Sequence, residues 1–548
     1  MPRARSGQMV LLVLTAIGGW VYLHRLGDVP VYLSLDEAHF AVHADAIAST
    51  GRNLNGDRLP LFINLADPLG DRPDLPWGNT WYQPFLFYLI AAALKLLPLT
   101  EASIRTPTAI LGGVVNIVLM YLAADRLFGK RRIAIAAAAM LAMCPASVVI
   151  SRQALDYTCP IVFILAWLFC LSSFVRDPRL RYAIGTGLVL GVGCYSYITS
   201  WIMMPLYLVL SWVAFATAVR NPIRPAVASA VAFMLPLLAI LPWLWIHPEM
   251  PGNLLSAYSI SDPEHVSAIQ AVRDGRGLIE VARRSVSVYW AYFDPSFLFL
   301  SGGASRKLST GQAGVFLLPV AILLPIGVYA LVRRDRRSWF GLTLVAGLFS
   351  APLPATLKGT AFAIERTMAL LPFAILISAC GLAWLWESRR TTVRVLGTLL
   401  LVAQPLQFAG FYQDYLSDYR TRSALGYDPT AFGEAAPFLV DAAAGGESPA
   451  VYLTAPLYDV SAKWRFWVTR LGHPDLLSRT HYFDGNLAGL GPAPIGSLAV
   501  VPSEDAAVNA AVSSGEWVLA RRVMSIDGQP TLAILRKTAS RLLKKPAT

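Results

Sequence analysis

Two adjacent acids, Asp36 and Glu37, open the most suggestive stretch of the chain, LSLDEAHFAVHADAIASTG. They follow an apolar run at 9–23, which puts them close to the end of a membrane helix. Neighbouring carboxylates at such an interface are costly to desolvate, and that cost favours a role in chemistry, such as taking a proton from a hydroxyl nucleophile. The simpler account is a helix start, where Asp and Glu offset the positive end of the macrodipole. If the segment is helical, Asp36, His39 and His43 fall on one face at i, i+3 and i+7, a candidate divalent-metal set. An ordinary polar helix face explains the same spacing. A third acid, Asp156, stands in the turn SRQALDYT, with Arg152 four residues earlier as its ion-pair partner or as an anion ligand. Arg105, Lys358 and Arg366 are cations at the ends of apolar runs, where headgroup anchoring competes with phosphate binding.

These residues are positioned by a membrane protein. Of 548 residues, 55% are hydrophobic and only 15% charged, against about 25% charged in soluble domains. The apolar residues come in blocks broken by basic clusters at 3–5, 126–132, 176–181, 220–224, 333–337 and 389–394. Spans at 9–23, 103–124, 133–150, 160–175, 182–199, 201–219, 226–246, 315–332, 338–355, 367–386 and 395–411 put every cluster on the cytoplasmic side. The expectation is therefore an α-helical multi-pass protein of about eleven helices with a cytoplasmic N-terminus. Orientation uses up the net charge of +12, which leaves no basic excess for nucleic acid. The apolar run 85–97 is too short to cross, and counting it would invert everything downstream, so it reads as interfacial.

The long polar segments then fall outside: a first loop at 24–102, turns at 151–159 and 356–366, a loop at 247–314, and the tail. Residues 1–427 form the membrane module. From 428 to 548 strand-like runs (451–454, 497–502, 517–523, 531–535) alternate with helical ones such as 460–471, the pattern of a small extracytoplasmic α/β domain. Phe408, Phe411, Tyr412, Tyr415 and Tyr419 form an aromatic collar where the last helix leaves the bilayer. The five cysteines lie in or beside spans and offer no disulfide framework. No nucleotide-binding, zinc-protease or serine-hydrolase motif occurs. The spans are nearly free of charge, which favours surface chemistry over transport. A lipid-sugar flippase and a non-catalytic envelope-glycan assembly protein are the competing readings.

The run from Asp36-Glu37 through Thr50-Gly51, Gln83-Pro84, Ser103-Ile104-Arg105-Thr106-Pro107 and Phe128-Gly129 to Ser151-Arg152 and Asp156 resembles the GT-C superfamily of polyprenyl-phosphate-dependent glycosyltransferases. Within it the pattern is similar to bacterial family 39 and 83 members, relatives of protein O-mannosyltransferases and lipid A aminoarabinose transferases. The detailed likeness covers about residues 30–200. It implies a GT-C helical bundle in the inner membrane, with interfacial helices in the first outer loop and a site opening to the periplasm, where the C-terminal domain also lies. It implies Asp36 as the base, Glu37 as its partner and Asp156 as a second acid. Arg105, Arg152, Arg366 and Lys358 would serve the donor phosphate. Gln83, at the same donor-phosphate position, stands where aminoarabinose transferases carry a Lys before the proline, so one phosphate-binding charge is missing or supplied elsewhere. The implied partners are a polyprenyl-phosphate-linked sugar and a lipid, glycan or protein acceptor. No cofactor is fixed by the sequence, and a divalent ion could assist between carboxylate and phosphate.

Overall fold

The computed structural model of the chain describes residues 2–66, 80–259, 278–334, 339–445, 448–455, 457, 460–504 and 506–538. Most of the basic cluster 333–337 and the middles of the loops 24–102 and 247–314 lie outside them. Six described helices are long and apolar enough to cross a membrane: Glu101–Phe128, Asp156–Arg176, Ser200–Ala218, Ile223–Ile246, Trp339–Lys358 and Thr391–Leu416. A bent pair, Arg131–Ala142 and Pro145–Ser151, makes a seventh if taken as one span. The 55° bend falls at Cys144-Pro145, because proline has no N–H for the preceding turn and its ring clashes with it. Gln8–Leu23, Leu180–Gly193, Leu318–Arg333 and Leu370–Trp386 are shorter apolar helices at the other expected spans.

Glycine sets how closely these helices approach. A side chain on Gly187 or Gly191 would collide with the backbone of Ser229 or Phe233, so helix 180–193 lies directly on helix 223–237, as small residues allow. Gly112 and Gly113 sit in a π-helical turn, Leu111–Val115, inside the span 101–128, where Tyr22 of the first helix fills the space a Cβ would need. Helix Pro84–Leu94 has 11 residues. At ~1.5 Å rise per residue it reaches about half the hydrocarbon thickness, too short to cross.

Outside the helical body, a two-stranded ribbon (β1, Ile63–Asn64; β2, Trp81–Tyr82) belongs to the first loop. The C-terminal segment builds a mixed five-stranded sheet from β3 (Val451–Thr454), β4 (Thr480–Phe483), β5 (Leu498–Pro502), β6 (Trp517–Met524) and β7 (Pro530–Lys537), in the order β4-β3-β5-β7-β6. β3 is parallel to β4 and β5, and β7 is antiparallel to β5 and β6. The pleat sends alternate residues to opposite faces: Val451 and Leu453 pack under Leu439 and Trp464, whereas Tyr452 packs with Leu487 and Trp517 on the other side. Helix Val460–Arg470 joins this unit to the membrane body, its Ala462 and Phe466 buried against Phe40 and Ala41 of helix Leu35–Thr50.

Candidate active site

Helix Leu35–Thr50 starts because Ser34 and Glu37 form a capping box. Glu37 is fully buried, and its Oε2 accepts from both the backbone N–H and the hydroxyl of Ser34 at 3.0 Å. The same carboxylate takes Arg105 Nε at 2.7 Å and the backbone N–H of Ala154 at 3.0 Å. Burial alone would push Glu37 up, but the Arg105 guanidinium and these backbone donors hold it below the ordinary carboxylate range. Glu37 therefore ties the acidic helix, the span 101–128 and the Asp156 turn into one unit.

Two expectations change here. Arg105 is fully buried and spends its N–H groups on Glu37 and on the carbonyls of Leu26, Pro30 and Tyr32, so its donors are already taken by protein. Arg152, also fully buried, does not pair with Asp156. Its two terminal nitrogens collect the carbonyls of Val21, Tyr22, His24, Arg25 and Val29, and its plane lies 5.3 Å from the Tyr415 ring. A cation at the C-terminal end of a helix satisfies both orphan carbonyls and dipole; Arg152 closes the end of the first helix. Both arginines spend most of their donors on holding the first loop together.

Asp36, by contrast, is partly exposed in the first turn of its helix. Asp156 is fully buried in a 3-10 turn, Asp156–Thr158, with its Oδ2 unbonded. That turn packs on a second one, Ile364–Arg366. The charges acting on Asp156 are those of Asp36 and Arg366. Tyr157, edge-on to Tyr197 at 5.4 Å, feels Asp36, Glu365 and Asp156 together. Glu365 belongs to the turn that packs on Asp156–Thr158, a further carboxylate of this region that the sequence alone does not single out. Burial raises its pKa, and Arg366 and Lys307 oppose the rise.

A largely apolar groove of about 350 Å³ is lined by Ile198, Ile202, Leu254 and Leu357 together with two cations, Lys358 and Arg366. Gln83 is buried at the start of helix 84–94, one residue from Pro84, and brings no charge. The proposed metal set does not assemble: among the described residues no three His, Cys, Asp or Glu side chains are grouped to hold an ion. His39 and His43 are buried within the fold, His43 edge-on to Phe87, while Asp36 stays at the helix mouth.

Residues 74–246 match the family of dolichyl-phosphate-mannose-protein mannosyltransferases. The fold is similar to the crystal structure of ArnT from Cupriavidus metallidurans bound to undecaprenyl phosphate, with a TM-score of 0.60 at 12% identity over 95% of this chain and 97% of that one. It is also similar to the Archaeoglobus fulgidus oligosaccharyltransferase in complex with zinc and sulfate, with a TM-score of 0.50 at 11% identity over 96% of this chain and 73% of that one. Compared by sequence alone, no curated protein matches the chain.

Proposed function

We propose that this chain, a membrane glycosyltransferase of GT-C architecture, moves one sugar from a polyprenyl-phosphate carrier to an acceptor hydroxyl outside the cytoplasm. The observation that supports this best is the double position of Arg366. It lines the apolar groove, and its turn packs on the Asp156 turn, so a lipid tail lying in the groove would bring its phosphate toward the carboxylates. The undecaprenyl phosphate held by the similar ArnT structure is a ligand of this kind.

In this reading Asp36 takes the acceptor proton as the acceptor oxygen attacks the anomeric carbon. The leaving group is an anionic phosphate, so a general acid is not needed, and Lys358 and Arg366 stabilise the charge that grows on it. Direct displacement inverts the sugar carbon. Asp156 and Glu365 shape the acceptor side. Arg105, Arg152 and Glu37 act as positioning residues for this machinery, and no step is routed through a metal ion.

Replacing Arg366 with Ala should weaken binding of undecaprenyl phosphate by roughly 1.5–3 kcal/mol, the worth of a charge-assisted contact. Arg366→Lys should recover only part, because Lys lacks the planar fork. Titration of the purified protein with undecaprenyl phosphate gives the answer; wild-type affinity in Arg366→Ala would remove the groove end from the phosphate site.

Counting the shorter apolar helices as spans, we propose an eleven-span topology with residues 1–427 as the membrane module and 428–548 outside. Single cysteines at Asn55 and Asp484, both in polar outer segments, should react with a membrane-impermeant thiol reagent on intact spheroplasts. A cysteine at Arg131 should not react, and labelling of all three equally would overturn the orientation.

A further inference from the structure

A second cavity of about 230 Å³ lies apart from the groove, between the first outer loop and the C-terminal unit. Its walls are Tyr32 and its neighbours from the loop, Glu101 from the start of a span, and Asp428, Glu434, Lys463 and Trp467 from the C-terminal side. Four features make it a built site. Lys463 is only 3% exposed and donates to Asp428 at 2.9 Å, which leaves two of its three N–H groups for a ligand. Asp428 is itself saturated by Thr430, Phe432 and Lys463, so it holds Lys463 in place. Glu434 is a wall carboxylate that no cation neutralises among the described residues, whereas Glu101 is paired with Arg470. Trp467 lines the cavity beside Gly433, where a Cβ would come into ordinary contact with the indole at 3.4 Å, and Arg470 lies over the ring at 4.6 Å.

One buried donor, Lys463, an exposed carboxylate, Glu434, at the rim and an indole around one small cavity suit a polyhydroxylated ring. Such a ring would set its C–H groups against the side of the indole that Arg470 leaves uncovered and its hydroxyls toward Lys463 and Glu434. The size is below the ~300–1,000 Å³ of drug-sized pockets and fits one ring. The unneutralised Glu434 selects against anionic sugars and favours an amino group. Tyr32 and Leu33 lead directly into Ser34 and the first turn of the helix that carries Asp36. We infer that this cavity is a subsite for one neutral or amino sugar of a glycan-bearing acceptor, an inference that rests on the acceptor being glycosylated at the Asp36 site.

The test is saturation-transfer NMR on the full chain in lipid nanodiscs, free of sugar detergents, with methyl hexosides, methyl 2-amino-2-deoxyhexosides and methyl uronosides. Hexosides and aminohexosides should receive saturation and uronosides should not. Gly433→Leu, which fills the cavity, should abolish both signals while undecaprenyl phosphate still binds. The isosteric Glu434→Gln should reduce the aminohexoside signal more than the hexoside signal. Equal saturation of all three classes, none from any, or signals untouched by Gly433→Leu and Glu434→Gln would overturn the inference. Failure of undecaprenyl phosphate to bind wild type would instead count against the glycosyltransferase site, so the two failures are distinct.

Discussion

Asp36→Asn should lower kcat by ~10²–10⁴, the usual worth of a positioned general base, with donor affinity and thermal stability near wild type. Asn keeps the shape of the side chain and the start of the helix but cannot take a proton at neutral pH. The capping role that a helix-start acid would otherwise explain belongs to Ser34 and Glu37, so Asp36 is not needed to begin the helix. It is also the partly exposed acid of the pair, whereas Glu37 is sealed inside. Steady-state transfer assays and melting curves on the same preparation separate the two roles. A stable Asp36→Asn enzyme with wild-type turnover would leave Asp36 as a surface charge.

Arg105→Met should act the other way, on the fold. It strands the Glu37 carboxylate in a site with no exposure, and breaking a buried pair from one side costs about 3–5 kcal/mol. Melting temperature should fall sharply, and the double change Glu37→Gln with Arg105→Met should recover part of the loss, because no uncompensated charge is left. The pair also fixes a pH trend. Glu37 is held below its unfolded pKa, so its contribution is present above the ordinary carboxylate range and is lost as pH falls through the depressed folded value. Arg105→Met that melts like wild type yet binds donor weakly would restore Arg105 to the phosphate.

The contrast between these two residues shows what the sequence carries. Apolar blocks and basic clusters locate the helices because lipid imposes length and charge rules on local sequence. β3 is read to the residue because a short apolar run between turn signals has few alternatives, whereas β4, THYF, is a half-buried edge strand with little pattern to betray it. Asp36 and Glu37 look equivalent in the sequence, and only the fold separates them, since Arg105 reaches Glu37 from 68 residues away. Arg152 reads as an anion ligand because its true partners are backbone carbonyls, which leave no trace in residue types. Glu365 was overlooked beside Arg366, where an adjacent acid and base resemble a neutral surface pair; its position in a short outer turn with two cations was the available signal. The docking of helix 460–470 onto the Asp36 helix is likewise tertiary, carried by Ala462 and Phe466 with Trp467 at the edge.

The central claim is sugar transfer from a polyprenyl phosphate that depends on Asp36, and one comparison addresses it directly. Lipids and envelope glycans are profiled by mass spectrometry from cells lacking the chain, complemented with wild type or with Asp36→Asn. The account predicts that one sugar-bearing envelope species is missing without the chain while its polyprenyl-phosphate sugar accumulates, that wild type reverses both changes, and that Asp36→Asn reverses neither. Identical profiles with and without the chain, or full restoration by Asp36→Asn, would contradict it.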